Sequence, residues 1–413
     1  MAGIAAGQLG ARARVLDGVK KVGAKILVSG GSRCNVTNEH VVPARFNGED
    51  CAPFIARILR SFSPADTHRF FREIGVELKL EPTGKFFPTT DSSRTVLAAL
   101  LQALVDAKVP LYTETPVTKI ECIGDGDAPR WRVHTGGANP EIIEASCVIL
   151  ATGGLALPKS GSDGRGYKMA RALGHTIVET TPALTPLLGN DEVHHALSGR
   201  SLNARLTLYR EDKPAQNQRL ASYEGSLLFT HRGYSGPVAL NISRHVARER
   251  WQYPNASVFA SFFPDVKEED EGTFWGEWSQ RNPKKNVANA LSATMPDDIA
   301  EALATRAGVE NSPLGRLSRE GVAALREQMF ACPLSVDDVA PYEKAETTAG
   351  GIALAEIAPA TMMSKLAPGL FLCGEICDVD GWLGGYNFQW AWSSGIVAGR
   401  AAAKWEARMS DGR

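Results

Sequence analysis

The chain has 413 residues, 44% of them hydrophobic and 22% charged, and its formal net charge is −1. That length predicts two or three domains with sizeable cores. The balanced charge argues against nucleic acid or an anionic membrane as partner, and no apolar run approaches the roughly 20 residues of a membrane span. Seven cysteines without a disulfide rhythm point to a reducing compartment, so the protein is expected to be cytoplasmic. Eight histidines show no metal-ligand spacing and no metal site is expected. The adjacent pair His194 and His195 reads as solvated.

Residues 1–9 are Ala-rich and helical, and Gly10 stops them. Residues 13–16 read as a short strand ending in Asp17. A helix and then a strand closed by an acid is the second half of a dinucleotide-binding βαβ unit, where the acid holds the adenosine ribose. The first strand and Gly-x-Gly-x-x-Gly turn of such a unit would stand before Met1. Residues 25–38 read KILVSGGSRCNVTN. An apolar run at 26–28 meets a flexible turn, Ser29-Gly30-Gly31-Ser32, followed by Arg33, Cys34 and Asn35. Glycines beside an arginine and hydroxyls suit phosphate or flavin contact, and suit an ordinary surface turn equally.

Helical spacing marks residues 53–62, 64–74 and 93–105, with a break at 79–90. The break holds aromatics beside Lys85 and reads either as a substrate-cleft loop or as a plain hairpin. Strands follow at 111–113, 117–123, 131–134, 141–143 and 147–151. The last runs into Ala151-Thr152-Gly153-Gly154, a second approach of bare backbone to a cofactor, and a helix begins near Gly166. From residue 183 alternating strands dominate, as at 204–209 and 257–263. The run Glu268-Glu269-Asp270-Glu271 reads as a solvated linker, and 284–331 as amphipathic helix.

Near the C-terminus a buried strand at 370–372 stops at Gly374-Glu375. Asp378, Asp380 and Gly384-Gly385 lead into a helix at Tyr386-Asn387. A helix N-terminus stabilises negative charge, and bare glycine lets a planar ligand lie against the backbone. Cys373 and Cys377 are four apart and read as buried small residues rather than a redox pair. No second Gly-x-Gly-x-x-Gly occurs; the glycines of 161–166 have the wrong spacing. The expected domains are 1–182 with 341–413, a β-rich insertion of 183–283 with 332–340, and a helical insertion of 284–331.

On these motifs the chain resembles the YhiN-type family of bacterial NAD(P)/FAD-dependent oxidoreductases along nearly its whole length. The carriers are KILVSGGSRCNVTN, GKFFP (84–88), VILATGG (148–154), FTHRGYSGP (229–237), TTAGGI (347–352) and GEICDVDG…GGYNFQWAWSSG (374–395). The resemblance implies an α/β fold: a Rossmann-type FAD-binding domain of the two-dinucleotide-binding superfamily, with an inserted β-rich domain and a small helical subdomain. It implies FAD as cofactor, NAD(P)H as electron donor, and hydride transfer through flavin N5 to an electron-poor, enone-like small molecule. Enone reduction in bile-acid breakdown is one activity of the family. The cofactor-binding set is Asp17, Lys25, Ser29, Gly30, Gly31, Arg33, Cys34, Asn35, Val117, Ala151, Thr152, Gly153, Gly154, Gly374, Glu375, Asp380, Gly384, Gly385, Tyr386 and Asn387. Candidates for the proton donor are His231, Tyr234, Tyr386 and Cys34. A flavin oxidase using oxygen, and a non-catalytic or RNA-associated flavoprotein, are the alternatives. A monomer or homodimer is expected, without nucleic-acid or membrane partners. Asp17 stands where family members carry a ribose-binding Glu, and Arg12 and Arg14 are polar for a buried strand. Family members also carry a strand and a glycine turn before the equivalent of Met1. Either roughly 10–15 residues precede this start or the chain is a degenerate paralogue. As written it is expected to fold and bind FAD poorly.

Overall fold

The computed structural model describes residues 1–123, 129–212, 214–281 and 283–411. The chain divides into two compact units, Met1–Thr181 with Glu346–Arg413, and Pro182–Ala345.

The first unit is built on two short parallel ladders. Val15–Leu16 pairs with Leu111–Tyr112, and Val148–Leu150 pairs with Leu370–Leu372. The second ladder continues antiparallel through Met363–Ser364 to Ile357–Ala358. Every residue of Leu370–Leu372 is buried, as in a parallel strand covered on both faces. The C-terminal helix, Tyr386–Asp411, serves two cores from two of its faces. Trp390, Val397 and Ala398 join the cluster around Leu370–Leu372, while Trp392 and Ile396 join Phe71 and Val96. The N-terminal helix, Ala2–Gln8, crosses it closely. Two glycines four apart make that possible. A Cβ on Gly399 would lie 2.2 Å from the Ala2 carbonyl oxygen, and one on Gly395 3.2 Å from Met1 Cβ.

Helices occupy Cys51–Ser61, Pro64–Glu73 and Ser93–Asp106. Ser63 and Asp66 form a reciprocal capping box, with Pro64 in the first turn where no N–H is needed. The GKFFP segment is the second strand of a hairpin, Leu78–Leu80 with Lys85–Pro88. Residues 26–28 lie in a helix, Ala24–Ser32, interrupted by non-helical Ser29, Gly30 and Gly31; both glycines have positive φ. Val117–Ile123, Arg130–Thr135 and Ile142–Ala145 form an antiparallel sheet.

The second unit is organised on a seven-stranded antiparallel sheet. Its order is Cys332–Leu334, Ser257–Ser261, Ser201–Tyr209, Arg219–Thr230, Gly233–Ser235, Leu187–Leu188 and Asp338–Val339. Side chains alternate between faces. Leu206 and Leu208 are fully buried on strands that pack against the helix Pro237–Glu249. The acidic run is solvated at Glu269 and Asp270, as expected, but it is not a linker. Glu268–Asp270 is a 3-10 turn entering the helix Glu271–Arg281. Glu268 accepts hydrogen bonds from Gln216 and Arg219, each at 2.6 Å. The helices Val287–Leu291, Asp297–Arg306 and Arg319–Phe330 belong to the same unit. No described helix is long and apolar enough to cross a membrane.

Candidate functional site

In open α/β sheets ligands bind beyond the carboxyl ends of the parallel strands. Here Leu150 pairs with Leu372, so the segments after both strands emerge side by side. Ala151 and Thr152 are exposed there, and the other strand turns through Gly374–Ile376.

Glu375 is the centre of this region. One carboxylate oxygen accepts from the Thr348 N–H (3.1 Å) and hydroxyl (2.8 Å). The other lies 2.6 Å from Lys25 Nζ, with the two side chains 18% and 25% exposed. The Thr348 hydroxyl also accepts from the N–H groups of Leu155 (2.8 Å) and Ala156 (3.0 Å), so its bonding capacity is filled. Gly154 is required: a Cβ would sit 2.4 Å from Thr348 Oγ1 and 2.9 Å from Glu375 Oε1. A Cβ on Gly153 would lie 4.0 Å from Lys25 Nζ. Lys25, Gly153, Gly154 and Glu375 are therefore brought together. Thr348 was missed by residue-level reasoning, although it lies in the TTAGGI motif.

A second group forms the entry to the C-terminal helix. Gly384 and Gly385 have φ of 121° and 98°. A Cβ on Gly385 would lie 2.6 Å from the Thr37 carbonyl carbon. Asn38 Nδ2 donates to the Gly384 carbonyl at 3.0 Å. The Asn387 amide bonds both the N–H (2.8 Å) and the carbonyl (2.9 Å) of Gly381. These contacts fix a glycine-lined helix N-terminus, whose first turn offers N–H groups to negative charge. Tyr386 is 2% exposed, and its hydroxyl meets Arg45 and donates to the His40 carbonyl at 3.1 Å. It anchors this entry rather than serving as an acid. Asp380 is 1% exposed and accepts from Asn47 Nδ2 at 3.1 Å.

A third group lies at the end of the strand Val15–Leu16. Asp17 Oδ1 accepts from the Val19 N–H at 3.0 Å. A Cβ on Gly18 would lie 3.2 Å from Pro116, the residue before Val117.

The segment 29–35 divides. Ser29 donates to the Ile26 carbonyl at 2.9 Å, and the space beside Gly31 is open. Arg33 is not free for phosphate: it pairs with Glu81 (2.6 Å) and Asp91 (3.4 Å) and stacks 4.0 Å above the Phe87 ring. Cys34 is fully buried, and burial pushes its thiol up to about 12. At neutral pH it is neither a thiolate nor an accessible acid.

In the second unit His231 is exposed, between the strands ending at Thr230 and starting at Gly233. Tyr234 is 1% exposed, and its hydroxyl lies 2.7 Å from His194 Nδ1. Burial raises its pKa far above the phenol range. His194 is not solvated. It is 1% exposed in the short helix capped by Asp191, which in turn holds Arg306 at 2.6 Å. Burial pushes the imidazole down to about 4, against the opposing pull of Asp191.

The uncovered strand ends and the glycine-lined helix entry fit a bound dinucleotide. Asp17 would hold the ribose of FAD, the backbone at 151–154 its middle, and the helix entry the ring. Fold and site together define a flavin-dependent oxidoreductase with a Rossmann-type domain. The chain belongs to the HI0933-like family: the model for the HI0933-like protein Rossmann domain matches residues 1–401. It is 32% identical to the 3-dehydro-bile acid delta(4,6)-reductase of Clostridium scindens, over 94% of this chain and 92% of that enzyme. It is 31% identical to the ribosomal RNA dihydrouridine synthases of Escherichia coli and Haemophilus influenzae, in each case over 94% of this chain and 91% of the relative.

Proposed function

We propose that this protein reduces a carbon–carbon double bond conjugated to a ring carbonyl, using NAD(P)H as electron donor. The observation that carries the reading is full-length similarity to both kinds of relative. The name of one specifies reduction of a steroid-like enone. The name of the other specifies conversion of uridine to dihydrouridine, which saturates a bond conjugated to the uracil C4 carbonyl. Bound FAD supplies two-electron hydride chemistry. The chain's own contribution is electrostatic. The helix N-terminus at Tyr386 would favour negative charge on a reduced ring bound beside it. Glu375, fixed by Thr348 and Lys25, presents an acceptor to cofactor hydroxyls.

The near-neutral charge favours a small-molecule substrate, while the dihydrouridine synthase relatives favour a uracil ring in RNA. One experiment separates these. The purified protein is titrated with NADH and then NADPH without oxygen, and flavin absorbance is followed. The reduced protein is next mixed with a 3-oxo-Δ4 steroid or with ribosomal RNA lacking dihydrouridine. Bleaching by a nicotinamide and return of colour with either substrate supports the reading. Bleaching by neither nucleotide, or return of colour with oxygen alone, overturns it in favour of an oxidase or a non-catalytic flavoprotein.

A further inference from the structure

The GKFFP motif holds one residue that the fold does not account for. Its aromatic side chains pack: Phe87 is buried beneath the Arg33 guanidinium, and Phe86 meets His68 edge-on at 5.5 Å. Lys85 differs. It is half-buried, and among the described residues it makes no hydrogen bond or ion pair. Strand register sets its place. Lys85–Pro88 pairs antiparallel with Thr37–Asn38, and Lys85 stands opposite Asn38. Residues opposite each other in a ladder send their side chains to the same face. Asn38 shows where that face looks, because its Nδ2 donates to the Gly384 carbonyl at 3.0 Å. A Cβ on Gly384 would lie 3.6 Å from Asn38 Nδ2 and 3.3 Å from Lys85 Cε. The lysine stem therefore runs along the glycine entry of the C-terminal helix.

Charge at that entry has one sign. The first N–H to find a helical partner is that of Gln389, on the Gly385 carbonyl at 2.9 Å. The N–H groups before it carry the positive end of the helix dipole. A lysine is the wrong charge for a helix N-terminus, where acids are favoured, so its placement calls for a negative group between the two. Arg45, a second cation near the entry, is committed: it stacks on Trp382 at 5.1 Å and meets the Tyr386 hydroxyl. Glu346 feels Lys85 through space without pairing to it, and burial pushes its carboxyl toward the neutral form. Lys85 and the helix entry thus face the same place from two elements of the first unit.

We propose that Lys85 is the cation of the flavin-ring seat: together with the open helix turn it holds the negative charge the ring gains on reduction, and so sets how readily the flavin takes up electrons. The proposal rests on the flavin site described above and holds whether a steroid or a uracil ring is reduced. In the motif, the phenylalanines fix the hairpin and the lysine supplies the charge.

The test is sulfite titration of the full-length, FAD-loaded protein, followed by flavin absorbance, with the midpoint potential measured alongside. Sulfite adds to the oxidised ring and leaves it anionic, so its affinity reads the charge around the ring without turnover. Lys85→Met is expected to weaken sulfite about tenfold and to lower the two-electron midpoint potential by about 30 mV, the same factor of ten. Lys85→Arg keeps the charge and should stay within about threefold of the wild type. Lys79→Met is the control. It removes a lysine from the other strand of the same hairpin, where Lys79 pairs with Asp91, and should leave both readings unchanged. Excess FAD keeps the variants loaded, and only loaded chains give signal. Wild-type affinity and potential in Lys85→Met, or an equal fall in Lys79→Met, overturns the proposal. A wild-type chain that takes up no FAD overturns the flavin site itself, and the proposal with it.

Discussion

At the scale of single residues, the site depends on hydroxyls whose every valence is used. Thr348 joins Glu375 to two N–H groups of the loop after Val148–Leu150. Thr348→Val keeps the shape and removes all three bonds. It is expected to cost about 2–3 kcal/mol in a denaturant titration and to lower flavin content per chain, with Thr348→Ser restoring both. Tyr234→Phe carries the opposite expectation for activity. Its hydroxyl is buried against His194, so the variant should lose about 1–2 kcal/mol of stability while turnover per bound flavin is unchanged. A collapse of turnover would instead make Tyr234 the proton donor. Geometry alone does not make a catalyst, as His175 shows. Its ring lies 2.9 Å from Glu356 and 2.8 Å from Ser364, the layout of a hydrolase triad. Yet Ser364 is 2% exposed and accepts the N–H groups of Leu366 and Ala367. The trio is a clamp.

At the scale of elements, the decisive feature is where the C-terminal helix begins. Gly385 combines a φ of 98° with a Cβ position 2.6 Å from the Thr37 backbone. Gly385→Ala is therefore strained and must also push the segment Thr37–Asn38 away. We expect a loss of about 2 kcal/mol or more, read as a lower melting temperature, together with weaker flavin retention on gel filtration. Local chemistry made such elements legible in the sequence. A continuous apolar run and a glycine pair each declare themselves within about ten residues, which is why the strands ending near Leu150 and Leu372 and the helix entry at Tyr386 were readable. What was not legible depends on distant partners. His194 reads as solvated until Tyr234, 40 positions away, closes over it. Glu268 reads as a linker residue until Arg219, 49 positions away, meets it. Arg33 reads as a phosphate ligand until Glu81 and Asp91 claim its guanidinium. Side-chain charge states its chemistry in the sequence but not its partner.

At the scale of the whole molecule, buried neutral histidines set how the second unit responds to acid. Burial holds His194 down at about 4 and His245 at about 3, the latter bonded to the Tyr223 hydroxyl at 2.9 Å. A base whose folded pKa lies below its unfolded value binds fewer protons when folded. Unfolding therefore takes up protons, and stability falls as pH drops through the unfolded value near 6.5 toward the folded one. For His194 the full effect, about 3 kcal/mol, is reached once the pH is below about 4. Asp191, whose carboxyl is held low by the His194 N–H, His194 and Arg306, adds a loss of the same sign at still lower pH. Glu271, whose carboxyl burial raises, acts in the opposite direction and offsets part of the decline. The His194 share is isolated by His194→Gln, which keeps a hydrogen-bonding side chain but cannot titrate. Urea midpoints followed by circular dichroism at pH 7 and pH 5 should drop steeply for the wild type. They should drop less for the variant, even though the variant starts from a lower stability at pH 7. Parallel declines in the two proteins would show that His194 is not the group that senses acid.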